Sequence, residues 1–279
     1  EFDGSHLYEY ADPLKMEHKE WGTRVFDYGK VSTRNLLFSS AMFWIEKFHM
    51  DGLRVDAVAS MLYLDYNRQG EWRPNVHGGR ENLEAVDFLR LLNEYILTDH
   101  PDVMMIAEES TAWPMVTKPG YDGGLGFNFK WNMGWMNDML CYCSADPFFR
   151  KDMHDKITFS FMYAFSENYI LPLSHDEVVH GKCSLISKMP PPYENQFGGL
   201  RALYGTWPHT RQEDAVHGRR VCTILRMGVP ARTGLDAAGL SGAPPDAGVR
   251  QALNHFYLAT PQLWEQDTDW RGFEWISHE

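Results

Sequence analysis

Short apolar runs alternate along the chain with longer segments in which hydrophobic residues recur every three or four positions. The runs at residues 53–58, 103–107 and 170–173 are predicted to be strands, and the segments at about 33–48 and 81–97 are predicted to be helices. Because the runs are almost continuously apolar, we expect both faces of each strand to be covered. This alternation of helices and buried strands predicts a parallel sheet and an α/β fold.

The two predicted helices carry start signals and apolar stripes. Ser32 or Thr33 is expected to cap the first helix. The hydrophobic positions of that helix near helical spacing are Leu36, Leu37, Trp44 and Phe48. The second helix follows a pair of glycines at 78–79, and its buried stripe is predicted to comprise Leu83, Val86, Leu89, Leu92 and Ile96.

Charged residues follow each predicted strand. In a parallel barrel, the catalytic residues lie at this position, the C-terminal ends of the strands. In an alternating strand, Arg54 and Asp56 lie on the same face, and an arginine beside a carboxylate favours its ionised form. Glu108 directly follows the second strand, and a carboxyl partly removed from water can act as a proton donor. A structural ion pair and a surface or helix-capping pair of acids, Glu108 with Glu109, are the alternatives.

The third apolar run is followed by His175 and Asp176, which could contact a sugar ring. A zinc site of the His-Glu-x-x-His type is disfavoured, because an aspartate follows His175 and His180 lies five positions later. Three acids at three strand ends of one barrel can converge on one point. Two carboxyl groups roughly 5 Å apart perform retaining glycoside chemistry, in which one attacks the anomeric carbon and the other protonates the leaving oxygen.

Composition narrows the class of function. The formal net charge of −12 repels phosphate backbones, so we expect no nucleic-acid partner. The 14% aromatic residues fit sugar stacking, and a packed core equally well. The sequence has no apolar run long enough to span a membrane. Its 4 cysteines lack zinc-ligand spacing and are expected to be reduced thiols of a cytoplasmic protein.

The blocks DGLRVDAV, IAEES and LSHDE, which contain these acids, resemble three short motifs of the alpha-amylase superfamily. The surrounding blocks narrow the resemblance to the bacterial glycogen branching enzymes. These blocks lie between about residues 2 and 205 and include FDGSHLYEY, GGRENLEAVDFLR, GGLGFNFKWNMGWMNDML and FSENYILPLSHDEVVHGK.

This resemblance implies a partial (β/α)8 TIM barrel that lacks its first strands and performs retaining transglycosylation. By motif, Asp56 is implied as the nucleophile, Glu108 as the general acid and base, and Asp176 as the third acid that supports the transition state. Arg54 would position Asp56, and His175 would contact the donor sugar. The partner would be an α-glucan, from which an α-1,4-linked segment is transferred to a 6-hydroxyl as an α-1,6 branch, without a metal or an organic cofactor.

Two other functions fit the same residues. An amylase-type hydrolase would use the same three acids with water as the acceptor. An inactive glucan-binding fragment would keep only weak affinity for maltooligosaccharides. We expect the 279-residue chain itself to be inactive, because an incomplete barrel does not hold its charged groups rigidly. Phe127, Trp131 and Trp135 could stack on glucan in any of these cases, although buried packing explains them equally well.

The two ends of the chain depart from the family. The family's N-terminal β-sandwich and first barrel strands would precede Phe2, and the chain opens at Glu1 without a methionine. The family's C-terminal β domain would follow Trp275. We therefore expect the chain to begin within a longer protein.

The segment at 206–250 does not resemble the family, whereas residues 252–279 do so again. When codons that could encode residues 211–251 are read one base later, they yield GKKMLFMGGEF and LDWMLLDYPEHRRMQEYVK, which resemble the missing segment. We therefore expect a reading-frame error that disrupts the last strand and helix, with a divergent loop as the alternative. Residues 1–205 are then predicted to form the partial catalytic barrel, and 251–279 its end and the start of a β domain.

Overall fold

The computed structural model describes residues 4–178, 182–206, 252 and 255–261. The chain divides into two compact units, Glu1–Trp131 and Asn132–Glu279. Of the predicted out-of-frame segment at 206–250, only the last residue of a helix, Thr206, lies within the described residues. The interpretation of that segment therefore stays a prediction.

The first unit is built on a parallel sheet. Strands β3 (Gly52–Val55), β4 (Met104–Ala107) and β5 (Phe129–Trp131) lie side by side in that order. The helices of this unit are α1 (Val31–Phe48), α2 (Val58–Leu62) and α3 (Leu83–Asp99). A short antiparallel pair, β1 (Glu17–His18) and β2 (Thr23–Arg24), precedes them. The predicted α/β class with a parallel sheet is confirmed.

The register of the sheet brings two strand ends to the same edge. Gly52 lies opposite Met104, and Val55 lies opposite Ala107, so β3 and β4 finish level with each other. Gly52 is required for this pairing, because a Cβ atom at that position would lie 2.7 Å from the Met104 carbonyl oxygen. The residues that follow these strands, Asp56 and Glu108, therefore leave the sheet as neighbours.

The first predicted strand, at 53–58, was too long at its end. The observed strand stops at Val55, because Ala57 adopts a left-handed backbone conformation with φ +47° and the chain enters α2 at Val58. The third predicted strand, at 170–173, is also shorter than expected. Only Tyr169–Ile170, here β6, is a strand, and the buried residues that follow it have no regular structure.

Helix α3 packs on the core as its sequence pattern predicts. Its buried positions include Val86, Leu89, Leu92 and Ile96. The prediction that Leu83 is buried is wrong, because this first residue of the helix is exposed. Asn82 caps it, since the Asn82 side chain accepts hydrogen bonds from the Ala85 amide at 3.4 Å and from the Tyr10 hydroxyl at 3.3 Å.

Helix α1 begins earlier than predicted. The residue before its first turn is Lys30, which makes no side-chain cap, so the cap predicted at Ser32 or Thr33 is wrong. Thr33 is instead buried, and its hydroxyl donates to the Tyr8 carbonyl at 2.9 Å. Of the predicted hydrophobic positions, Leu37 packs on the core, while the exposed ones are Leu36, Trp44 and Phe48. The residues of α1 that face the core recur every four positions: Thr33, Leu37, Ala41 and Ile45.

The second unit is mostly helical in the part that the structure describes. Its α-helices are α4 (Met133–Ser144), α5 (Asp155–Thr158) and α6 (Tyr193–Thr206), and its strand is β6. Asn132 caps α4 by accepting from the Trp135 amide at 2.9 Å, and it also accepts from the Tyr163 hydroxyl at 3.2 Å. The core of this unit includes Trp135, Met136, Met139, Leu171, Leu173, Leu185, Met189 and Leu200. None of the described helices in either unit is long and apolar enough to cross a membrane.

The cap of α3 yields a first prediction. Asn82→Ala removes the acceptor for the Ala85 amide and leaves the buried Tyr10 hydroxyl without that partner, so we expect a loss of about 1–2 kcal/mol in the free energy of unfolding. Ser32→Ala is the matched control, because Ser32 is exposed and does not cap α1; its effect should stay within about 0.5 kcal/mol. Urea unfolding of the two variants measures both values. Equal losses would contradict the assignment of the caps.

Candidate active site

Arg54 joins the two acids that follow β3 and β4. Its Nη1 atom lies 2.7 Å from Asp56 Oδ1 and 3.5 Å from Glu108 Oε2. The two carboxylates differ in their access to solvent, since the side chain of Asp56 is 73% exposed and that of Glu108 only 17%. The arrangement therefore pairs an accessible acid with a shielded one, and both contact a single cation.

Glu108 is held by the turn that follows Asp56. The Ala57 amide donates to Glu108 Oε2 at 2.6 Å, and the Val58 amide donates to the Glu108 carbonyl at 2.9 Å. In return, the Glu108 amide donates to the Val55 carbonyl at 3.0 Å. The left-handed conformation of Ala57 turns the chain from the end of β3 into α2, and the Ala57 and Val58 amides at this turn both donate to Glu108, so the strand end and the acid form one hydrogen-bonded group.

Trp131 on β5 packs against the cation of this group. The guanidinium carbon of Arg54 lies 4.4 Å from the centroid of the Trp131 ring, a distance at which a cation and an aromatic face attract each other. Trp131 and Phe127 in the first unit are buried, as is Trp135 in the core of the second unit. The structure therefore favours packing over glucan stacking for these three aromatic residues.

The residue after Glu108, Glu109, is also an acid, and its side chain is fully buried. Glu109 Oε2 lies 2.6 Å from Lys130 Nζ, and Glu109 Oε1 accepts from the amide of Thr111 at 2.8 Å and from its hydroxyl at 2.5 Å. Lys130 also donates to the Thr111 carbonyl at 2.9 Å. Sequence reasoning missed Lys130. The signal for it was a lysine within the aromatic run FNFKW, where a buried charge needs a partner.

An aromatic cluster, which consists of His18, Trp21 and Tyr66, was also missed. Its ring centroids lie 5.0 Å apart for His18 and Trp21, 5.9 Å for His18 and Tyr66, and 5.7 Å for Trp21 and Tyr66. Burial, followed by the negative charge of Glu108, raises the pKa of Tyr66. Burial lowers the pKa of His18. No periodicity in the sequence joins these residues.

Asp176 and His175 belong to the second unit and follow β6. They lie in a short 3-10 helix, His175–Glu177, where His175 Nε2 is 3.2 Å from Asp176 Oδ1. The Ser174 hydroxyl accepts from the Asp176 amide at 3.2 Å and fixes the start of this turn. Both side chains are exposed. The predicted role of Asp176 as a third acid and of His175 at the donor sugar stays a prediction.

Metal-binding side chains do not cluster in the part of the chain that the structure describes. Within those residues, no group of three His, Cys, Asp or Glu side chains could hold a metal ion. His180, the second histidine of the disfavoured zinc alternative, lies outside the described residues.

Proteins named 1,4-alpha-glucan branching enzyme GlgB match almost the whole chain. The relative from Aquifex aeolicus (strain VF5) is 54% identical over 279 residues, which is 99% of this chain and 44% of that protein. The relative from Cutibacterium acnes is 51% identical over 278 residues, 99% of this chain and 43% of that protein. The relative from Synechococcus sp. (strain JA-3-3Ab) is 54% identical over 279 residues, 99% of this chain and 36% of that protein.

The matches cover only part of each relative. No model of a protein family matches the chain. The chain spans between 36% and 44% of the length of the relatives described above. Over nearly all of its own length, the chain therefore aligns with a segment of the GlgB branching enzymes, and the resemblance that its motifs indicate is confirmed.

Proposed function

We propose that the chain carries the nucleophile and the general acid–base of a retaining transglycosylase that makes α-1,6 branches in α-glucan. The observation that carries this proposal is the shared contact of Asp56 and Glu108 with Arg54 Nη1, at 2.7 and 3.5 Å. Two oxygens that contact one nitrogen at these distances lie closer together than the roughly 6.5–9.5 Å that an inverting enzyme needs to admit a water molecule. The arrangement therefore favours a covalent intermediate.

The exposure of the two acids supports their proposed roles. Asp56 is accessible, and the charge of Arg54 stabilises it as an anion that can attack the anomeric carbon. Glu108 is shielded and lies beside it, where it protonates the leaving glycosidic oxygen as the bond to the anomeric carbon breaks. In the second step, Glu108 takes the proton of an incoming 6-hydroxyl, whose oxygen displaces Asp56 and forms the branch.

The same proposal includes the remaining predicted residues and the fold. Asp176 would support the charge that develops on the donor sugar, and His175, which contacts Asp176, would bind that sugar. The parallel order of β3, β4 and β5, with acids after β3 and β4, supports a partial (β/α)8 barrel. Asp56 and Glu108 together supply the nucleophile and the proton, so the reaction needs no metal or organic cofactor.

The names of the relatives support α-glucan as both donor and acceptor, since the chain is 51–54% identical to proteins named for that activity. Because the chain spans less than half of each, the activity of the whole protein is part of the proposal. Cys141, Cys143 and Cys183 are free thiols, which supports a location in the reducing cytoplasm.

Removal of the nucleophile tests the reaction. With amylose as the substrate of the complete protein, we expect iodine staining to fall while few reducing ends appear. Asp56→Asn should lower that rate by at least about 1000-fold, because no glycosyl–enzyme bond can form. Asp51→Asn is the matched control, since Asp51 is an exposed aspartate that precedes β3, at the end of that strand away from Asp56, and the variant should keep the activity.

Two other results would each point to a different function, and a third would contradict the assigned nucleophile. Many new reducing ends would favour an amylase-type hydrolase with water as the acceptor. Affinity for maltooligosaccharides without turnover, unchanged by Asp56→Asn, would favour a glucan-binding function. An activity that Asp56→Asn leaves intact would contradict the assignment of the nucleophile.

The proposed reading-frame error is tested on the DNA. We expect the sequence from codon 195 to codon 255, read again from independent clones, to contain single-base insertions or deletions on both sides of the segment 206–250. The corrected translation should then restore an apolar strand and an amphipathic helix. A clean reading frame would contradict the proposal, and the segment would then be a divergent loop.

A further inference from the structure

Lys130 is a buried cation that the proposed reaction does not use. It lies on β5 between aromatic neighbours, and its side chain is only 7% exposed. A lysine at such a position loses its hydration, and this loss must be offset by a partner. The partner is Glu109, whose side chain is fully buried and whose Oε2 atom lies 2.6 Å from Lys130 Nζ.

The other contacts of this ion pair join β5 to the loop that follows β4. Glu109 Oε1 accepts from the Thr111 amide at 2.8 Å and from the Thr111 hydroxyl at 2.5 Å, while Lys130 donates to the Thr111 carbonyl at 2.9 Å. The carboxylate thus has defined partners on both of its oxygens. Buried ion pairs add little net stability compared with apolar side chains, but they hold the chain in one arrangement.

The arrangement that they hold includes Glu108. In the register of the sheet, Lys130 lies opposite Ala107, the residue immediately before Glu108, and the ion pair binds Glu109, the residue immediately after it. The backbone of Glu108 is therefore fixed on both sides by contacts with β5. Its side chain can then stay on the Ala57 amide at 2.6 Å and 3.5 Å from Arg54 Nη1.

We propose that Lys130 is a positioning residue that, through Glu109, keeps the Glu108 carboxylate on the Ala57 amide beside Arg54. Lys130 itself touches no reacting atom in this arrangement. The effect on catalysis rests on the proposed function, but the effect on the position of Glu108 does not. The Ala57 amide reports that position directly, because it donates to the Glu108 side chain.

The first test is amide hydrogen exchange of Ala57, followed by NMR. Lys130→Met alone leaves the Glu109 charge buried without its cation, and that variant could fail to fold. The double variant Lys130→Met with Glu109→Gln removes both charges at similar volume. In it, we expect exchange at Ala57 to become at least about tenfold faster, since a freed strand end opens locally.

A remote amide separates positioning from general stability. The Asn82 amide donates to the Leu62 carbonyl at 2.8 Å in the same unit and should keep its exchange rate within about twofold. Phe127→Leu is the matched control variant, because it removes buried volume near β5 without touching the ion pair. An unchanged Ala57 rate, or an equal increase at Asn82 in the double variant, would overturn the proposal.

A second measurement connects the position of Glu108 to the chemistry. We expect the double variant to lose about 10- to 100-fold in turnover on amylose, where the leaving oxygen needs a proton, since a displacement of about 1 Å can have that effect. For the first-turnover release of fluoride from α-maltosyl fluoride, which needs neither a proton on the leaving group nor the base of the second step, the loss should stay below about threefold. Equal losses on both donors would contradict positioning of the acid.

The proposed function and the proposed role of Lys130 can be disproved independently of each other. If the complete protein without substitutions has no activity but the Ala57 amide responds as expected, the proposed function is wrong and the role of Lys130 stands. If the chain is active and the Ala57 amide does not respond, the role of Lys130 is wrong and the proposed function stands.

Discussion

The two carboxylates that leave β3 and β4 side by side would repel each other, and the guanidinium of Arg54 resolves that repulsion. Two like charges a few ångströms apart in a partly buried site are unfavourable by several kcal/mol unless a cation lies between them. Arg54 contacts both acids and is held on its other side by the ring of Trp131. The group depends on the exact level at which β3 and β4 end, which the pairing of Gly52 with Met104 sets.

A second ion pair, between Glu109 and Lys130, differs from the contacts of Arg54 in its exposure to solvent. Arg54 keeps one acid accessible to solvent and shields the other, so its contacts leave a face on which chemistry can occur. Lys130 and Glu109 are both buried and leave no such face, so their contacts act on the backbone. Adjacent residues of β5 therefore serve the two pairs: Lys130 binds Glu109, and Trp131 packs on Arg54.

The turn at Ala57 shows why local sequence patterns mislocate strand ends. The apolar residues at 53–58 continue past the true end of β3, because Val58 is buried as the first residue of a helix and not as part of a strand. Alternation alone does not distinguish these two forms of burial. The error matters for the site, since the amides of Ala57 and Val58 at this turn both donate to Glu108.

From the sequence alone, the α/β class, the main strands and helices of the first unit and the acids at its strand ends could be predicted, because hydrophobic periodicity and motif spacing are local properties. The contact of Arg54 with Asp56 could be predicted equally well, since they lie two positions apart in the sequence. The tertiary structure alone determined that Arg54 also reaches Glu108, that Trp131 supports Arg54, and that Lys130 neutralises Glu109. Those contacts join residues that are 21 to 77 positions apart, from Glu109 with Lys130 to Arg54 with Trp131. They arise only when three parallel strands pair in one register, and no local pattern records that register.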